Sequence, residues 1–321
     1  MADSAAIYIA FMRDAQQIRA GFPDAEAVQS ALRRGASYEP RQLSRGMIAY
    51  GAILALQSPQ FVQGVRTYAA DPAGRQALVS RILSDPSYAV ALPGADSAGI
   101  ITATMGRDSQ AMAAVAAAVE EDAYTIQGRS DPRRSWATRP ITNREGRLQT
   151  VKDLSARPMS PVVDEARALF NAAHSGSGLS VSNGYARGPY TPVVARPLAI
   201  AALAILGAGG EDFRSYTSGL ALESNNEFCF NMSKLMLYQC LAASRPSYED
   251  IFCIGRHVAR DLATCTAQGL SSQPLAASGQ SYSSASGTAP QPVQTPVPAP
   301  QQSTAAPTAT SGPRPYSASP N

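Results

Sequence analysis

Four cysteines are the side chains of this chain whose types and spacing carry the most chemical information. Cys229 and Cys240 lie 11 residues apart, and Cys253 and Cys265 lie 12 apart. On an α-helix the first step is close to three complete turns, so its two thiols share one face about 17 Å apart. The second step spans about 18 Å, but it rotates Cys265 by roughly a third of a turn relative to Cys253. Each pair is therefore expected on a helix of its own.

The residues between the two cysteine pairs predict a turn that joins two helices. Pro246 and Ser247 are typical of the end of one helix and the start of the next, and they separate helices expected near 226–243 and 248–266. When such helices run antiparallel, the two outer cysteines face each other, and so do the two inner ones. The disulfides expected from this hairpin are Cys229–Cys265 and Cys240–Cys253.

This arrangement resembles the twin CXnC helical hairpins of the coiled-coil-helix family, which are crosslinked in the same nested way. The resemblance covers about 37 residues, and the segments between the cysteines, of ten and eleven residues, are longer than those of the family. It implies the pairing geometry alone. It implies nothing about the location or the partners of this chain.

Two other roles for the cysteines stay open at this point. A zinc site usually draws on cysteines two to four residues apart, and no pair here is that close. Four reduced cysteines would pack as small hydrophobic side chains, although their clustering in one hairpin favours crosslinks. Disulfides persist in oxidising compartments, so the crosslinks indicate a periplasmic or secreted protein. The start at Met1–Asp3 is interpreted in the same sense, as the remnant of a signal-peptide cleavage site.

One stretch suggests an enzyme. The sequence LESNNEF, at 222–228, resembles the Glu-Ser stretch of the lytic transglycosylases, which are helical enzymes that cleave peptidoglycan. The resemblance implies that Glu223 is a general acid in a cleft. The downstream Gly-Leu-Met-Gln motif of that family has no equivalent here. Glu223 also lies at the turn before a helix, where an acidic residue is a good N-cap, so a structural role is the alternative.

The two histidines give weaker signals. His257 precedes Asp261 by one helical turn, so a hydrogen bond between them is expected, but no G-x-S-x-G nucleophile motif accompanies the pair. His174 opens a Gly/Ser-rich loop that lacks the G-K-[ST] ending of a phosphate-binding loop. We therefore expect no catalytic residue apart from the alternative at Glu223, no cofactor and no metal.

Arginines cluster in the middle of the chain. The segment 129–188 is rich in arginine, proline and glycine, and it is predicted to cross the surface as a linker, with Trp136 held against a domain. Solvated arginines are the ordinary interpretation, and a weak contact with an anionic partner is the alternative. The six arginines are Arg129, Arg133, Arg134, Arg139, Arg144 and Arg147. A net charge of +3 is too small to favour a general nucleic-acid binder.

The candidate residues are expected to lie on helices, and the sequence of these helices repeats within the chain. Residues 38–61 align with 190–213 at a constant offset, and Pro-Ser-Tyr at 86–88 recurs at 246–248. No stretch alternates as a strand does, so the expected fold class is all-α, a tandem duplication of a multi-helix unit. The expected segments are a first unit at 1–128 with its repeat core at about 37–125, the linker at 129–188, a second unit at 189–268 with the cysteine hairpin, and a tail at 269–321.

The C-terminal segment differs in composition from the rest of the chain. Residues 269–321 are rich in proline, serine, alanine and threonine and are expected to be disordered. No run is apolar and long enough for a membrane span, and the nearest candidate, 197–210, suits a buried core helix. The expected function is a non-enzymatic, exported protein of the bacterial cell envelope that binds or scaffolds an unknown envelope protein or polymer. The alternative is a peptidoglycan-active lytic enzyme centred on Glu223.

Overall fold

A computed structural model describes residues 1–184 and 188–271 of the chain. Within these ranges the chain is helical, and an isolated antiparallel bridge between Pro140 and Pro246 is the only extended pairing. The all-α fold class is therefore confirmed. The α-helices are α1 (Ala2–Ala15), α2 (Ala25–Ala36), α3 (Pro40–Leu56), α4 (Pro59–Tyr68), α5 (Pro72–Ser84), α6 (Ala98–Gly128), α7 (Arg144–Ser155), α8 (Val163–Ser175), α9 (Pro192–Ile205), α10 (Arg214–Leu220), α11 (Ser224–Ala243), α12 (Ser247–Ile254) and α13 (Asp261–Leu270).

Local sequence signals set where several of these helices begin. Asp24, Ser58 and Asp71 each accept a hydrogen bond from a backbone amide of the first turn that follows, which satisfies an amide with no partner inside the helix. Helices α3, α4, α5 and α9 each begin with proline, whose fixed φ and missing N–H suit that position.

Helix α3 is the centre of the core, which its sequence predicts because residues 43–56 carry apolar side chains on most faces. Fourteen of its 17 residues are buried, and it packs against α1, α9, α11, α6 and α8. Two glycines permit this crowding. A Cβ at Gly46 would clash with the backbone of α1 at Ser4, and a Cβ at Gly51 would lie 2.9 Å from the ring of Pro197 on α9. Small residues therefore fix how closely the neighbouring helices approach α3.

The longest helix, α6, lies along the helix that carries the last two cysteines. Helix α12 continues through a π-helical segment (Gly255–Arg260) into α13, and α6 packs against all three parts. Ser109 Oγ donates to the carbonyl of Ala263 at 2.8 Å, and the guanidinium of Arg260 holds both carboxylate oxygens of Glu120 at 2.6 and 2.7 Å. Gly255 permits the contact, since a Cβ there would lie 2.9 Å from the backbone nitrogen of Glu120.

The segment 129–188 differs from the predicted surface linker. It contains α7, which packs against α2 and α11, and α8, which packs against α1 and α3. Arg147 and Val151 of α7 are buried, and so are Leu169 and Ala172 of α8. The low hydrophobicity of α7 suggested an exposed segment, but its buried face is partly polar and is paired by groups from distant parts of the chain.

The duplication remains a prediction. Helices α3 and α9 both begin with proline, but α4 and α5 begin with proline where α10 and α11 begin with Arg214 and Ser224, and a shared helix order is not superposition. The aromatic markers of the alignment differ in environment. Tyr38 and Phe61 are buried, whereas the four others are half-buried. Those four are Tyr88, Tyr190, Phe213 and Tyr248.

The predicted tail lies almost entirely outside the described residues. Helix α13 extends to Leu270, so the first two residues assigned to the tail are helical. Residues from 272 onward are not among those described, and the expectation of disorder for them stays an expectation. In the described part of the chain, no helix combines the length and the apolar character that a membrane crossing requires.

Candidate functional site

The four cysteines form two disulfides that lock α11 against the helix that follows it. Cys229 is bonded to Cys265 with their Cα atoms 5.6 Å apart, and Cys240 to Cys253 with their Cα atoms 5.8 Å apart. These are the pairs that the antiparallel hairpin predicts. No cysteine is left free. The described residues also contain no cluster of histidine, cysteine and carboxylate side chains suited to a metal ion.

The π-helical segment explains how unequal spacings fit a regular hairpin. Twelve α-helical residues at about 100° each would leave Cys265 about a third of a turn away from the face of Cys253. The π-helical segment Gly255–Arg260 lies between them, and a π-bulge accommodates one extra residue in a helix. The remaining 11-residue step matches the step from Cys229 to Cys240. Both disulfides can therefore form on the same side of the hairpin.

Glu223 is the N-cap of α11. Its two carboxylate oxygens accept hydrogen bonds from the backbone amides of Asn225 at 3.2 Å and Asn226 at 2.6 Å. The side chain is buried, and it lines a pocket of about 170 Å³ beside the outer disulfide. Ligand pockets are usually about 300–1,000 Å³, so this one is small for a polysaccharide chain. The geometry is that of the capping role, which was the alternative to a general acid.

Replacing Glu223 with alanine should lower the free energy of unfolding by about 1 kcal/mol, because two amides of the first turn of α11 lose their acceptor. Replacing it with glutamine should cost less, since the amide oxygen can still accept one of these bonds. Urea denaturation of the three proteins measures the difference. Equal stability of Glu223→Ala and the unchanged protein would contradict the capping role.

Neither histidine side chain contacts a nucleophilic side chain among the described residues. His257 Nδ1 lies 3.1 Å from Asp261 Oδ2, as the one-turn spacing predicts, and both side chains are partly buried. The nearest serine contact is through the backbone, since Ser233 Oγ donates to the carbonyl of His257 at 3.0 Å. His174 is 4.1 Å from the ring of Phe170, measured between ring centroids, and contacts the carbonyl of that residue. Neither histidine forms a catalytic arrangement with described residues.

Helix α11 of the hairpin carries a buried lysine, Lys234, which is one of two lysines in the chain and for which the sequence contains no functional signal. Lys234 Nζ donates to the carbonyl of Ala36 at 2.9 Å and lies 4.1 Å from the centroid of the Tyr38 ring. Its side chain is almost fully buried. Burial lowers the pKa of Lys234 from its ordinary 10.5 to about 7, partly offset by the negative charge of Glu39. The carbonyl of Ala36 also accepts from Ser155 Oγ, so it does not depend on this amine.

Stability should rise with pH because of Lys234. Between pH 7 and about 10.5 the unfolded chain carries one more proton on this amine than the folded protein, so the free energy of unfolding increases by up to about 1.4 kcal/mol per pH unit. The measurement belongs at pH 7 to 9, because the pKa of buried Tyr38 is raised and unfolded tyrosines lose protons near pH 10. Lys234→Met should abolish this slope. Lys152→Met, which changes the exposed second lysine, should leave it unchanged.

Most of the six arginines of the central cluster are used inside the fold. Arg147 is buried, where it pairs with Asp250 and donates to Ser244 Oγ at 3.1 Å and to the carbonyl of Leu241. Arg144 Nε donates to the carbonyl of Ser244 at 2.7 Å. The remaining pairs are Arg134 with Asp122 and Arg133 with Asp131. Arg129 and Arg139 are exposed, and the described residues offer neither of them an ion pair.

A groove of about 620 Å³ forms around this cluster, between α2, the segment 136–143 and the first turns of α7. Trp136 lines it, half-buried, and its indole Nε1 is buried without a hydrogen-bond partner among the described residues. Arg139 lines it as well. The other polar lining residues include Gln29, Asn143 and Thr150, and the other charged ones are Arg147 and the ion pair of Glu26 with Arg33. We call this surface the Trp136 groove.

Comparison with known proteins identifies no relative. The chain matches no protein-family model. No curated protein and no solved structure is significantly similar to it. A function therefore rests on the residues and the geometry described above.

Proposed function

We propose that this chain is a non-enzymatic, exported protein of the bacterial cell envelope that binds or scaffolds an envelope protein or polymer. The observation that carries the proposal is the pair of disulfides, which uses every cysteine of the chain. Disulfides of this kind persist in the periplasm and outside the cell and are rare in a reducing cytosol.

The non-enzymatic part of the proposal rests on what the candidate catalytic groups do. The carboxylate of Glu223 caps a helix, and His257 is paired with Asp261. A nucleophile or an acid–base pair must lie within hydrogen-bond reach of a reacting group in an accessible site. Among the described residues the candidates drawn from the sequence are occupied with contacts that hold the fold together.

The Trp136 groove is the surface we assign to the partner. It combines an aromatic face with Arg139, an exposed arginine that lacks a counter-charge among the described residues. Such a combination suits a partner that places a flat or apolar group on the indole and an acidic group on the guanidinium. We propose that the weak anionic contact expected from the sequence is made through Arg139 rather than through all six arginines.

Affinity capture tests the binding role. The immobilised protein is incubated with detergent-solubilised envelope extract and, separately, with purified cell-wall sacculi. We expect a saturable partner in one of these fractions, and we expect Trp136→Ala and Arg139→Gln to lose it. Arg129→Gln is the matched control, because Arg129 is exposed but does not line the groove. Equal capture by all four proteins would overturn the assignment of the groove.

The peptidoglycan-active enzyme is the second candidate, and the resemblance around Glu223 is the observation that favours it. Clearing of a turbid suspension of sacculi by the unchanged protein, but not by Glu223→Gln, would establish it and overturn the scaffold proposal. We expect no clearing by either protein. A stability measurement on Glu223→Gln accompanies the assay, since this residue also caps α11.

A further inference from the structure

A third cavity, a pocket of about 350 Å³, lies between α1, α3, α9 and α10. It shares no lining residue with the Trp136 groove. Its volume falls within the range of about 300–1,000 Å³ that is usual for small-molecule sites. Ala49, Ile200 and Ala204 form apolar parts of the wall, and Ser4 and Arg45 form polar parts.

Arg45 is the unusual member of this pocket. Its Nε atom is buried and has no hydrogen-bond partner among the described residues. None of the ion pairs formed by the described residues includes its guanidinium. Other half-buried arginines of this fold do have carboxylate partners, as Arg134 has Asp122 and Arg260 has Glu120. Arg45 as a whole is half-buried, so its guanidinium presents a positive charge without a counter-charge to the pocket, and a site of this kind favours an anion.

The backbone around Arg45 is held firmly. On one side, Ser44 is buried and its hydroxyl lies 3.5 Å from the carbonyl of Glu223. On the other side, Gly46 is packed so closely against α1 that a Cβ there would clash with the carbonyl of Ser4. The guanidinium therefore starts from a rigid helix at the centre of the core. Ligand binding then has to order the side chain of Arg45 but not the backbone that carries it.

We propose that this pocket binds a small organic anion, with its oxyanion group on Arg45 and a compact apolar body against Ala49, Ile200 and Ala204. The planar guanidinium suits both carboxylate and phosphate oxygens, which it can hold through two parallel hydrogen bonds. Ser4 adds a hydroxyl to the polar side. The apolar wall favours organic anions over inorganic ones, because an inorganic ion has no apolar surface to bury against it.

Calorimetric titration of the full chain with benzoate, phenyl phosphate and benzamide tests the site. Benzoate and phenyl phosphate present the two oxyanion types on one apolar ring, and benzamide is the neutral control. We expect saturable binding of at least one of the two anions and no binding of benzamide. Tighter binding of phenyl phosphate than of benzoate would assign the site to phosphate esters, and the reverse order would assign it to carboxylates.

Variants link the binding to this pocket. Arg45→Met should weaken the anion about ten- to a hundredfold, as expected for loss of hydrogen bonds to a charged group. Arg41→Met is the matched control, because Arg41 is an exposed arginine on the same helix, and it should bind as the unchanged protein does. Ala204→Leu fills the apolar wall while leaving Arg45 in place, so it should abolish binding even if Arg45→Met does not fold.

Three results would overturn the proposal. They are failure of both anions to bind at millimolar concentration, equally tight binding of benzamide, and unchanged affinity in both Arg45→Met and Ala204→Leu. None of these results bears on the Trp136 groove, whose test is capture of an envelope partner by variants of other residues. The two proposals can therefore fail separately.

Discussion

Replacing Arg147 with alanine should lower the free energy of unfolding by about 3–5 kcal/mol, which is a large fraction of the roughly 5–15 kcal/mol that stabilises a typical folded protein. The reason is the burial of its partner. Asp250 is fully buried, and Arg147 is the only cation in ion-pair contact with it among the described residues. After the substitution the carboxylate keeps hydrogen bonds from Ser244 Oγ at 2.6 Å and Gln29 Nε2 at 3.2 Å, but it has lost its counter-charge.

A double substitution separates the charge from the packing. Arg147→Met combined with Asp250→Leu removes both charges and keeps apolar volume, so it should be much closer to the unchanged protein than Arg147→Ala is. Denaturant unfolding of the singles and the double gives the coupling energy between the two residues. Arg133→Ala serves as the exposed control, since Arg133 pairs with Asp131 at the surface, and it should cause no measurable change. A loss of less than about 1 kcal/mol in Arg147→Ala would contradict the buried ion pair.

The position of Arg147 shows why the linker prediction differed from the structure. Its partners are separated from it by 94–103 residues along the chain, at the turn between α11 and α12. A local sequence pattern contains no information about such distant partners. An arginine-rich segment with few apolar residues is therefore predicted to be exposed to solvent. The same limit applies to Lys234, whose carbonyl partner at Ala36 lies 198 residues away. Local sequence patterns therefore do not reveal buried polar groups whose partners lie in distant parts of the chain.

Structural features that depend on neighbouring residues in the sequence were predicted well. The apolar faces of α3 predicted a central helix, and the proline at its start and the capping residues of its neighbours marked helix boundaries. The turn at Pro246 and Ser247 predicted the hairpin. The capping alternative for Glu223 followed from the same rule, because an acidic residue before a helix has backbone amides within reach whatever the rest of the fold does.

The π-helical segment had a local sequence signal, but that signal could be interpreted only with knowledge of distant contacts. The signal is the unequal spacing of the two cysteine pairs. A step of 11 residues nearly returns to the same face of an α-helix, whereas a step of 12 residues does not. Reading that mismatch as a π-helical turn requires the knowledge that Cys253 and Cys265 both face α11. Gly255 at the start of the segment contacts α6, so packing against a third helix contributes to this geometry.

Loss of both disulfides should have the second large effect. The inner bridge closes a loop with a sequence separation of 13 and the outer one a separation of 36. The chain-entropy relation gives about 3 kcal/mol for the inner loop and about 4 kcal/mol for the outer loop. Because the loops are nested, the second bridge constrains a chain that the first has already shortened, so the sum should be smaller, about 5–6 kcal/mol. Alanine is the substitution of choice, since Cys253 and Cys265 are buried and a serine hydroxyl there would need a partner.

Paired variants assign the effect to each bridge. Cys240→Ala with Cys253→Ala removes the inner bridge, and Cys229→Ala with Cys265→Ala removes the outer one; denaturant unfolding gives the loss for each. Hydrogen exchange should show faster opening of α11 and of the helix from α12 to α13, while α4 and α5, which carry no crosslink, keep their protection. Peptide mapping of the protein isolated without reductant supplies the chemical test. Recovery of four free thiols would contradict the hairpin and remove the support for export, because disulfides are what indicates an oxidising compartment. Recovery of a bond between Cys229 and Cys240 would contradict the hairpin alone.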